Sequence, residues 1–352
     1  MNSNNNEKSH IKKQAIIDNN SLNMIMIIMA VIVVLLISTA IYLIAFNVSD
    51  RDNGEVGGDI DVSVVTDYPF KKDITVRIPD YADDNIILQD DIKSEYAALI
   101  DMTSGEIVAS KKSTQTISPA SMVKVMTLIV VYENLPNEAS LDEKITISQS
   151  VADEMYNLGS SGYGFKAGEV LTVEDLIYAL ILQSDGIAAI SLAEFVAGSE
   201  DAFVALMNEK ASDMGLRATT FGNCTGLSSD GTKTTCLDMA TIMMYAMQNP
   251  YCANVLSAVK YTPSSNFRAG EGCVFYHSFL VTKLENVGIS QNLKTVEMVA
   301  GKTGWIGKDS GYCLVSYAVG DNGHKYVLVT ANAPNKNEEV LDLKYIYENF
   351  AK

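Results

Sequence analysis

An uncharged apolar run from Met24 to Phe46 divides this chain of 352 residues and restricts how the rest can fold. Only Ser38 and Thr39 interrupt the run, and a helix needs about 20 such residues to cross a hydrocarbon core. A cleaved signal peptide is the alternative, but its apolar region is usually about 7–15 residues long and ends at a small-residue cleavage site. We therefore expect one uncleaved transmembrane helix, which associates with the lipid bilayer.

The charges on either side of this run indicate its orientation. Basic residues precede it and acidic residues follow it: Lys8, Lys12 and Lys13 before, and Asp50, Asp52, Glu55, Asp59 and Asp61 after. Because positive residues stay on the cytoplasmic side, the larger C-terminal part is expected to be exported. The predicted organisation is a cytoplasmic tail (1–23), a transmembrane anchor (24–46), an acidic stalk (47–93) with a short strand near 74–78, and an extracytoplasmic domain (94–352).

Composition restricts the classes of function. A formal net charge of −17 argues against nucleic-acid binding, which needs a basic face. His277 and His324 have no partner at ligand spacing, so we predict no metal site and no zinc peptidase. The cysteines fit no zinc pattern, and an odd number leaves at least one thiol unpaired; they are Cys224, Cys236, Cys252, Cys273 and Cys313. Burial in the core is the simplest interpretation, and a disulfide between some pair stays open.

The order of predicted elements indicates an α+β fold. Tyr96–Asp101 and Glu106–Ala109 flank a turn and predict a hairpin. Residues 148–247 are mostly helical in pattern, residues 299–331 return to short β-rich runs, and a helix is predicted from residue 338 to 350. This order predicts an antiparallel sheet flanked by helices, with an inserted helical lobe and a cleft between lobe and sheet.

Two motifs indicate chemistry. Ser121 and Lys124 are three residues apart, which on a helix puts a hydroxyl beside an amine that could take its proton. Pro119 suits the entrance of that helix. Lys302-Thr303-Gly304 lies far downstream in a strand-like stretch, and the two motifs together are typical of an active-site serine hydrolase of the penicillin-recognising type.

With these motifs the chain resembles the serine D-Ala-D-Ala carboxypeptidases, the low-molecular-mass penicillin-binding proteins, over roughly residues 94–350. The resemblance rests on the nucleophile segment and on later blocks, namely Pro119–Thr127, Ser160-Ser161 with Gly168–Leu180, Thr225–Leu227 with Asp238–Ala240, and Gly301–Gly304 with Ser310–Leu314. It implies a DD-peptidase and β-lactamase-like fold. It also implies a substrate that ends in D-Ala-D-Ala, either a peptidoglycan stem peptide or a lipid-linked precursor, with no cofactor and with β-lactams as acylating inhibitors.

The resemblance also implies roles for particular residues. Ser121 would be the nucleophile that forms an acyl-enzyme, Lys124 its general base, and Ser184 a proton relay to the leaving amine. To act as a base, Lys124 must be neutral, so its pKa must be lowered by burial or by a nearby cation, and Lys302 would be that cation.

The substrate would be held by the later strands. Lys302 and Thr303 would bind its terminal carboxylate, and the backbone N–H groups of Ser121 and Trp305 would form the oxyanion hole. Lys325 is expected on the strand after the third motif, where family members often carry an arginine that holds the same carboxylate. A lysine there keeps the charge and loses the two-pronged geometry.

The second motif departs from the family. Ser184-Asp185-Gly186 has glycine where the family has asparagine. If this glycine is a loss, Gly186→Asn should raise peptide turnover; an unchanged or lower rate would show a site adapted to glycine.

Two other functions stay open. A serine β-lactamase shares the motifs, but no Glu-x-x-Leu-Asn sequence occurs between Gly186 and Lys302, where class A enzymes carry their deacylating residues. A non-catalytic penicillin-binding or wall-binding protein is the third possibility, supported by the missing asparagine. For an active enzyme, wall maturation, sporulation and accessory glycopeptide resistance are all compatible roles.

Overall fold

A five-stranded antiparallel sheet runs through the part of the chain that the computed structural model describes, namely residues 74, 76, 88, 91–228, 230–264, 268 and 273–352. In chain order the strands are β1 (Tyr96–Asp101), β2 (Glu106–Lys111), β3 (Lys144–Thr146), β4 (Val170–Thr172), β5 (Lys260–Tyr261), β6 (Phe275–Tyr276), β7 (Val296–Trp305), β8 (Tyr312–Gly320) and β9 (Lys325–Ala333). The order across the main sheet is β2-β1-β9-β8-β7, so β7 is an edge strand. The predicted antiparallel sheet and its first hairpin are confirmed.

Helices fill most of the chain between β2 and β7, which confirms the inserted lobe. They are α1 (Lys124–Glu133), α2 (Gln149–Asn157), α3 (Val173–Leu182), α4 (Gly186–Ala197), α5 (Glu200–Asp213), α6 (Cys236–Gln248), α7 (Pro250–Ser257) and α8 (Leu284–Val287), with a π-helix at Ser278–Lys283 and 3₁₀ turns at Ala120–Val123 and Glu138–Asp142. After β7 come a 3₁₀ turn at Gly307–Asp309 and, beyond β9, α9 (Lys336–Phe350). Thr172 caps α3 as predicted, because its hydroxyl accepts from the Asp175 amide while Asp175 accepts from the Thr172 amide.

The largest apolar core lies between the lobe and one face of the sheet. All residues of α1 except Glu133 are buried, and its apolar side chains pack against α3, α4 and α6. The opposite face of the sheet is covered by α9, whose Val340, Leu343, Ile346 and Tyr347 are buried there. Since α1 is buried all round, its one lysine, Lys124, is held in an apolar environment.

The cysteines are mostly core residues, as the sequence predicted. All five are unpaired in the structure, and all but Cys273 are buried.

The folded part begins before the predicted domain boundary at residue 94. Leu88 and Ile92, which the sequence assigns to the stalk, are buried against the α9 face. The predicted transmembrane helix, the cytoplasmic tail and most of the stalk lie outside the described residues. Within the described part of the chain, no helix combines the length and apolar character that a bilayer span requires.

Candidate active site

Ser121 lies in a 3₁₀ turn at the entrance of α1. The turn comprises Ala120–Val123, and α1 begins only at Lys124, so the expectation that one helix carries both residues is corrected. Ala120 has a positive φ of 47°, which an L-residue adopts only when its surroundings enforce it. The turn still brings the pair together, because Lys124 Nζ lies 3.1 Å from Ser121 Oγ.

Lys124 is fully buried, and burial is the main reason that its pKa is lowered to about 8. The nearby Cys224 and Asp185 oppose the shift. The sequence expectation named burial or a neighbouring cation, Lys302, as the cause. Repulsion between the two amines is mutual, and the charge of Lys124 lowers the pKa of Lys302. Nζ also donates to the carbonyl oxygen of Thr225 at 2.6 Å. An amine held in this way can direct its lone pair at the Ser121 hydroxyl once it is neutral.

The turn at Thr225-Gly226 is a part of the site whose role the sequence did not reveal. Gly226 has a φ of 72°, and a Cβ atom built there would lie 2.1 Å from the carbonyl oxygen of Ala120. Only glycine permits this approach to the nucleophile turn. The Thr225–Leu227 block was visible as part of the family resemblance, but nothing in it indicates that its backbone would bind Lys124.

The end of β7 forms the opposite wall of the site. Lys302 is buried, and its Nζ donates to Ser184 Oγ at 2.8 Å and to the Thr303 carbonyl at 2.9 Å. Burial lowers the pKa of Lys302, and the nearby Lys124 charge lowers it further. A Cβ atom on Gly304 would lie 2.6 Å from Pro119 O and 3.1 Å from Ser121 N, so this strand passes directly beside the nucleophile.

Trp305 ends β7 and is 56 % exposed. Its ring stacks on Tyr312 of β8, with centroids 5.9 Å apart. Because β7 is an edge strand, the backbone groups on its outer side are available to an extended ligand. The side chain of Thr303, near the end of this strand, is half-buried.

The second motif connects α3 to α4. Ser184 has a φ of 55°, and Asp185 caps α4 by accepting from the Ala188 amide at 2.9 Å. The other oxygen of Asp185 accepts from the Tyr163 amide at 2.7 Å. Burial raises the pKa of Asp185, and these backbone donors oppose that rise. The aspartate is therefore used to hold a loop and a helix rather than to face the cleft.

A family model described as D-alanyl-D-alanine carboxypeptidase, peptidase family S11, matches residues 83–335. The chain belongs to this family.

Individual relatives match stretches of different length. The chain is 34% identical over 149 residues to D-alanyl-D-alanine carboxypeptidase DacF of Bacillus subtilis (strain 168), covering 42% of this chain and 37% of that protein. It thus spans little more than a third of that relative's length. A D-alanyl-D-alanine endopeptidase of Pseudomonas aeruginosa is 28% identical over 264 residues, which is 75% of this chain and 76% of the relative.

Solved structures support the fold. The Streptomyces K15 DD-transpeptidase superimposes with a TM-score of 0.64 at 23% identity, covering 73% of this chain and 96% of that one. Penicillin-binding protein 5 from Haemophilus influenzae gives a TM-score of 0.62 at 25% identity, covering 74% and 71%. The DD-peptidase fold expected from the motifs is therefore confirmed.

Among the predicted site residues of this S11 protein, Lys325 is misplaced. It begins β9 and pairs with Val319, which pairs with Glu297 at the start of β7. Lys302 lies five residues further along β7, roughly 17 Å away at the rise of an antiparallel strand. The register contradicts the expectation that Lys325 lies on the strand after the third motif, which is β8. Because β9 runs in the same direction as β7, it begins beside the start of β7, at the end of the sheet away from Lys302.

Gly186 is closely packed. A Cβ atom there would lie 2.2 Å from Ser160 Oγ and 3.0 Å from Met155 Sδ. Ser160 therefore occupies the space that a side chain at position 186 would need. The site brings together Ser121, Lys124, Ser184 and Lys302, and a serine from a different loop lies beside its second motif.

Proposed function

We propose that this protein is a serine D-Ala-D-Ala carboxypeptidase that removes the terminal D-Ala from peptidoglycan stem peptides or their lipid-linked precursors. The observation that carries the proposal is the contact of a buried Lys124 amine with Ser121 Oγ at 3.1 Å, beside a second buried lysine on β7. Membership of the S11 family gives this pair its substrate class.

Acylation needs Lys124 in its neutral form. The neutral amine takes the proton of the Ser121 hydroxyl as Oγ forms a bond to the carbonyl carbon of the penultimate D-Ala. Negative charge then develops on the carbonyl oxygen. The backbone N–H groups of Ser121 and Trp305 would stabilise it, and each such donor is typically worth about 3–4 kcal/mol.

Lys302 and Thr303 would bind the terminal carboxylate. Because Lys302 and Lys124 are adjacent and repel each other when both are protonated, the site favours one charged amine over two. Burial also lowers the pKa of both amines. An arriving carboxylate favours a charged Lys302. Substrate binding would thereby keep the proton on Lys302 and leave Lys124 neutral for its role as base.

Ser184 would complete the proton transfer. As the C–N bond breaks, the proton that Lys124 took from Ser121 passes through the Ser184 hydroxyl to the leaving amine, and D-Ala departs. Lys302 donates to Ser184 Oγ and would stabilise it while it relays the proton. Water then attacks the ester and regenerates Ser121, with Lys124 again as the base.

The proposed setting is the outer face of the cell membrane. It is supported by the uncharged run from Met24 to Phe46 and by the basic residues that precede it. Sedimentation of the full-length protein with membranes, together with protease sensitivity of its catalytic part in intact spheroplasts, tests this topology. Recovery in the soluble fraction would contradict it.

Release of D-Ala from a diacetyl-Lys-D-Ala-D-Ala peptide tests the activity, with Ser121→Ala as the matched control. We expect release by the natural protein and none by the variant. Absence of release by the natural protein would overturn the proposal. Rapid turnover of nitrocefin would instead favour a β-lactamase, and stable labelling by fluorescent penicillin without any turnover would favour a non-catalytic protein.

An accessory role in glycopeptide resistance would follow from removal of D-Ala-D-Ala termini. Comparison of peptides that end in D-Ala-D-Ala and D-Ala-D-lactate tests it. Selective loss of the D-Ala-D-Ala terminus is the expected result, and equal turnover of the two would contradict it.

A further inference from the structure

A short π-helix, Ser278–Lys283, packs against β7 next to Lys302. Its Phe279 ring lies so close to the strand that a Cβ atom at Gly301 would be 2.5 Å from it. Gly301 directly precedes Lys302, so the position of Phe279 helps to set the position of the Lys302 backbone. Turns of π-helix are rare and occur frequently at functional sites. None of the proposed catalytic roles involves this one.

The imidazole of His277, which is fully buried, caps the π-helix. Nδ1 accepts from the amides of Phe279 at 3.2 Å and Leu280 at 3.4 Å, and Nε2 lies 3.2 Å from the carbonyl oxygen of Leu256 on α7. Because two N–H groups face one nitrogen and a carbonyl faces the other, the imidazole is neutral and carries its proton on Nε2. Burial, reinforced by the charge of Lys302, lowers the pKa of His277 to about 4, so the cap is intact at neutral pH.

The residue before His277 contacts the second motif. The carbonyl oxygen of Tyr276 accepts from Gln183 Nε2 at 2.8 Å. Gln183 directly precedes Ser184, whose φ of 55° is held only where the surroundings enforce it. This hydrogen bond therefore connects the strained backbone at Ser184 to the segment that His277 caps.

These contacts form a closed network with the hydrogen bond that Lys302 Nζ donates to Ser184 Oγ at 2.8 Å. Its other members, in order from Lys302 to Ser184, are Gly301, Phe279, His277, Tyr276 and Gln183. Because the π-helix and Tyr276 both meet at His277, its cap controls how β7 and the second motif lie relative to each other.

We propose that His277 is a positioning residue, which holds Ser184 and Lys302 at the separation that the proton relay needs. The inference rests on the proposed function, in which Ser184 passes a proton to the leaving amine. Loss of the cap lets the π-helix and Gly301 move, and the contact between Lys302 and Ser184 lengthens. Protonation of the leaving amine then slows, while Ser121 and Lys124 still attack the carbonyl carbon.

Two substrates that differ only in the leaving group separate this role from a merely structural one. Both are diacetyl-Lys-D-Ala derivatives, one a peptide that ends in D-Ala and the other a thioester of D-2-mercaptopropionate. An amine must gain a proton as the C–N bond breaks, whereas a thiol, with an ordinary pKa of about 8.5, leaves as the thiolate when the C–S bond breaks. Ser121→Ala gives the background hydrolysis of each substrate.

We expect His277→Leu to lower kcat/KM of the full-length protein about tenfold more for the peptide than for the thioester. This is a part of the roughly 10²–10⁴-fold that a positioned general acid contributes. His277→Asn places an oxygen near the position of Nδ1 and can still accept from the two amides, so it should retain most of the natural ratio. Gln183→Leu breaks the closed network on its other side and should lower the ratio as His277→Leu does, even if His277→Leu fails to fold.

Asn335→Ala is the matched control. Asn335 caps α9 by accepting from two backbone amides, as His277 caps the π-helix, but it lies outside the closed network. Its loss should leave the ratio of the two substrates unchanged. Equal losses for peptide and thioester in His277→Leu and Gln183→Leu would overturn the inference.

Cleavage of neither substrate by the natural protein would overturn the proposed function instead. Crystal structures of the natural protein and Gln183→Leu then decide the positioning role without any activity. A distance from Lys302 Nζ to Ser184 Oγ that lengthens beyond hydrogen-bond reach in the variant supports it, and an unchanged contact overturns it.

Discussion

At the scale of single residues, the protonation of Lys124 determines the pH range of the proposed reaction. Its pKa is lowered to about 8 by burial, and only the neutral amine above that pKa can take the Ser121 proton. We expect kcat/KM to fall about tenfold per pH unit below pH ~8 and to level off above it. The pH profile of D-Ala release measures this.

Lys124→Arg provides the control for that profile. Arginine keeps the positive charge but cannot lose its proton near neutral pH, so we expect at least a 10³-fold loss of activity at every pH. A profile of the natural protein that is flat from pH 6 to 9 would contradict Lys124 as the base.

Ser160 reverses what the sequence suggested for Gly186. An asparagine at position 186 would place its Cβ 2.2 Å from Ser160 Oγ, so we expect Gly186→Asn to lower acylation by fluorescent penicillin. The double variant Gly186→Asn with Ser160→Gly removes the obstructing hydroxyl and should recover at least part of the rate. A single Gly186→Asn variant that is faster than the natural protein would show that Ser160 moves aside without cost.

The sequence predicts residue types well at this scale and predicts environments poorly. Ser121, Lys124 and Lys302 follow from motif spacing, and the structure brings them together. Two contacts could not be predicted from motif spacing: the Thr225 carbonyl with Lys124, and the Ser160 hydroxyl with the position of Gly186. Both join segments that are distant in the chain, and both depend on backbone geometry. Lys325 shows the converse error, since this charge lies on β9 rather than on β8, the strand after the third motif, and at the end of the sheet away from Lys302.

At the scale of elements, the Arg268–Glu169 ion pair connects a surface segment to the second motif. Arg268 also lies over the ring of Tyr163, and the Tyr163 amide donates to Asp185 of that motif. Both side chains are mostly buried, at 17% and 13% exposed, so the pair is less screened than a surface pair. We expect Arg268→Gln and Glu169→Gln each to destabilise the protein by about 1–2 kcal/mol and to slow penicillin acylation, with the double variant no worse than either. Denaturation curves and acylation rates of the four proteins measure the coupling.

The pair Lys344–Glu348, one turn apart on α9 and more exposed at 37% and 25%, is the matched control. The same double-mutant cycle on this pair should give a coupling free energy of at most about 0.5 kcal/mol and no change in the rate of penicillin acylation. Equal coupling in the two cycles, or an unchanged acylation rate after loss of Arg268, would contradict a positioning role for the pair.

At the scale of the whole molecule, the order of elements was predictable from local sequence signals. Short apolar stretches on both sides of a turn indicate β1 and β2, and capping signals indicate α3. The order of strands in the sheet was not predictable, because β9 inserts between β1 and β8 through contacts more than 200 residues apart. The same long-range packing moves Leu88 and Ile92 from the predicted stalk into the core.

That packing also buries a carboxylate whose titration should change the stability of the whole protein with pH. Glu339, in the first turn of α9, pairs with Lys283 at the end of the π-helix beside β7. Burial raises its pKa to about 7, despite the opposing charge of Lys283. Because the folded protein binds this proton more tightly than an unfolded chain with an ordinary pKa of 4.5, the stabilisation is complete below pH 4.5 and is lost as the pH rises through 7.

Glu339→Gln, which stays neutral, should remove this dependence. We expect the free energy of unfolding of the natural protein, measured relative to Glu339→Gln, to fall by about 2–3 kcal/mol between pH 5 and pH 8. The variant lacks the ion pair with Lys283 at both pH values, so the free-energy cost of losing that pair is constant in the variant and cancels from the comparison. Urea denaturation at the two pH values measures the difference, with Glu338→Gln, its partly exposed neighbour, as the control that should leave the dependence unchanged. Parallel pH profiles for the natural protein and Glu339→Gln would show that water or Lys283 keeps the buried carboxylate charged throughout.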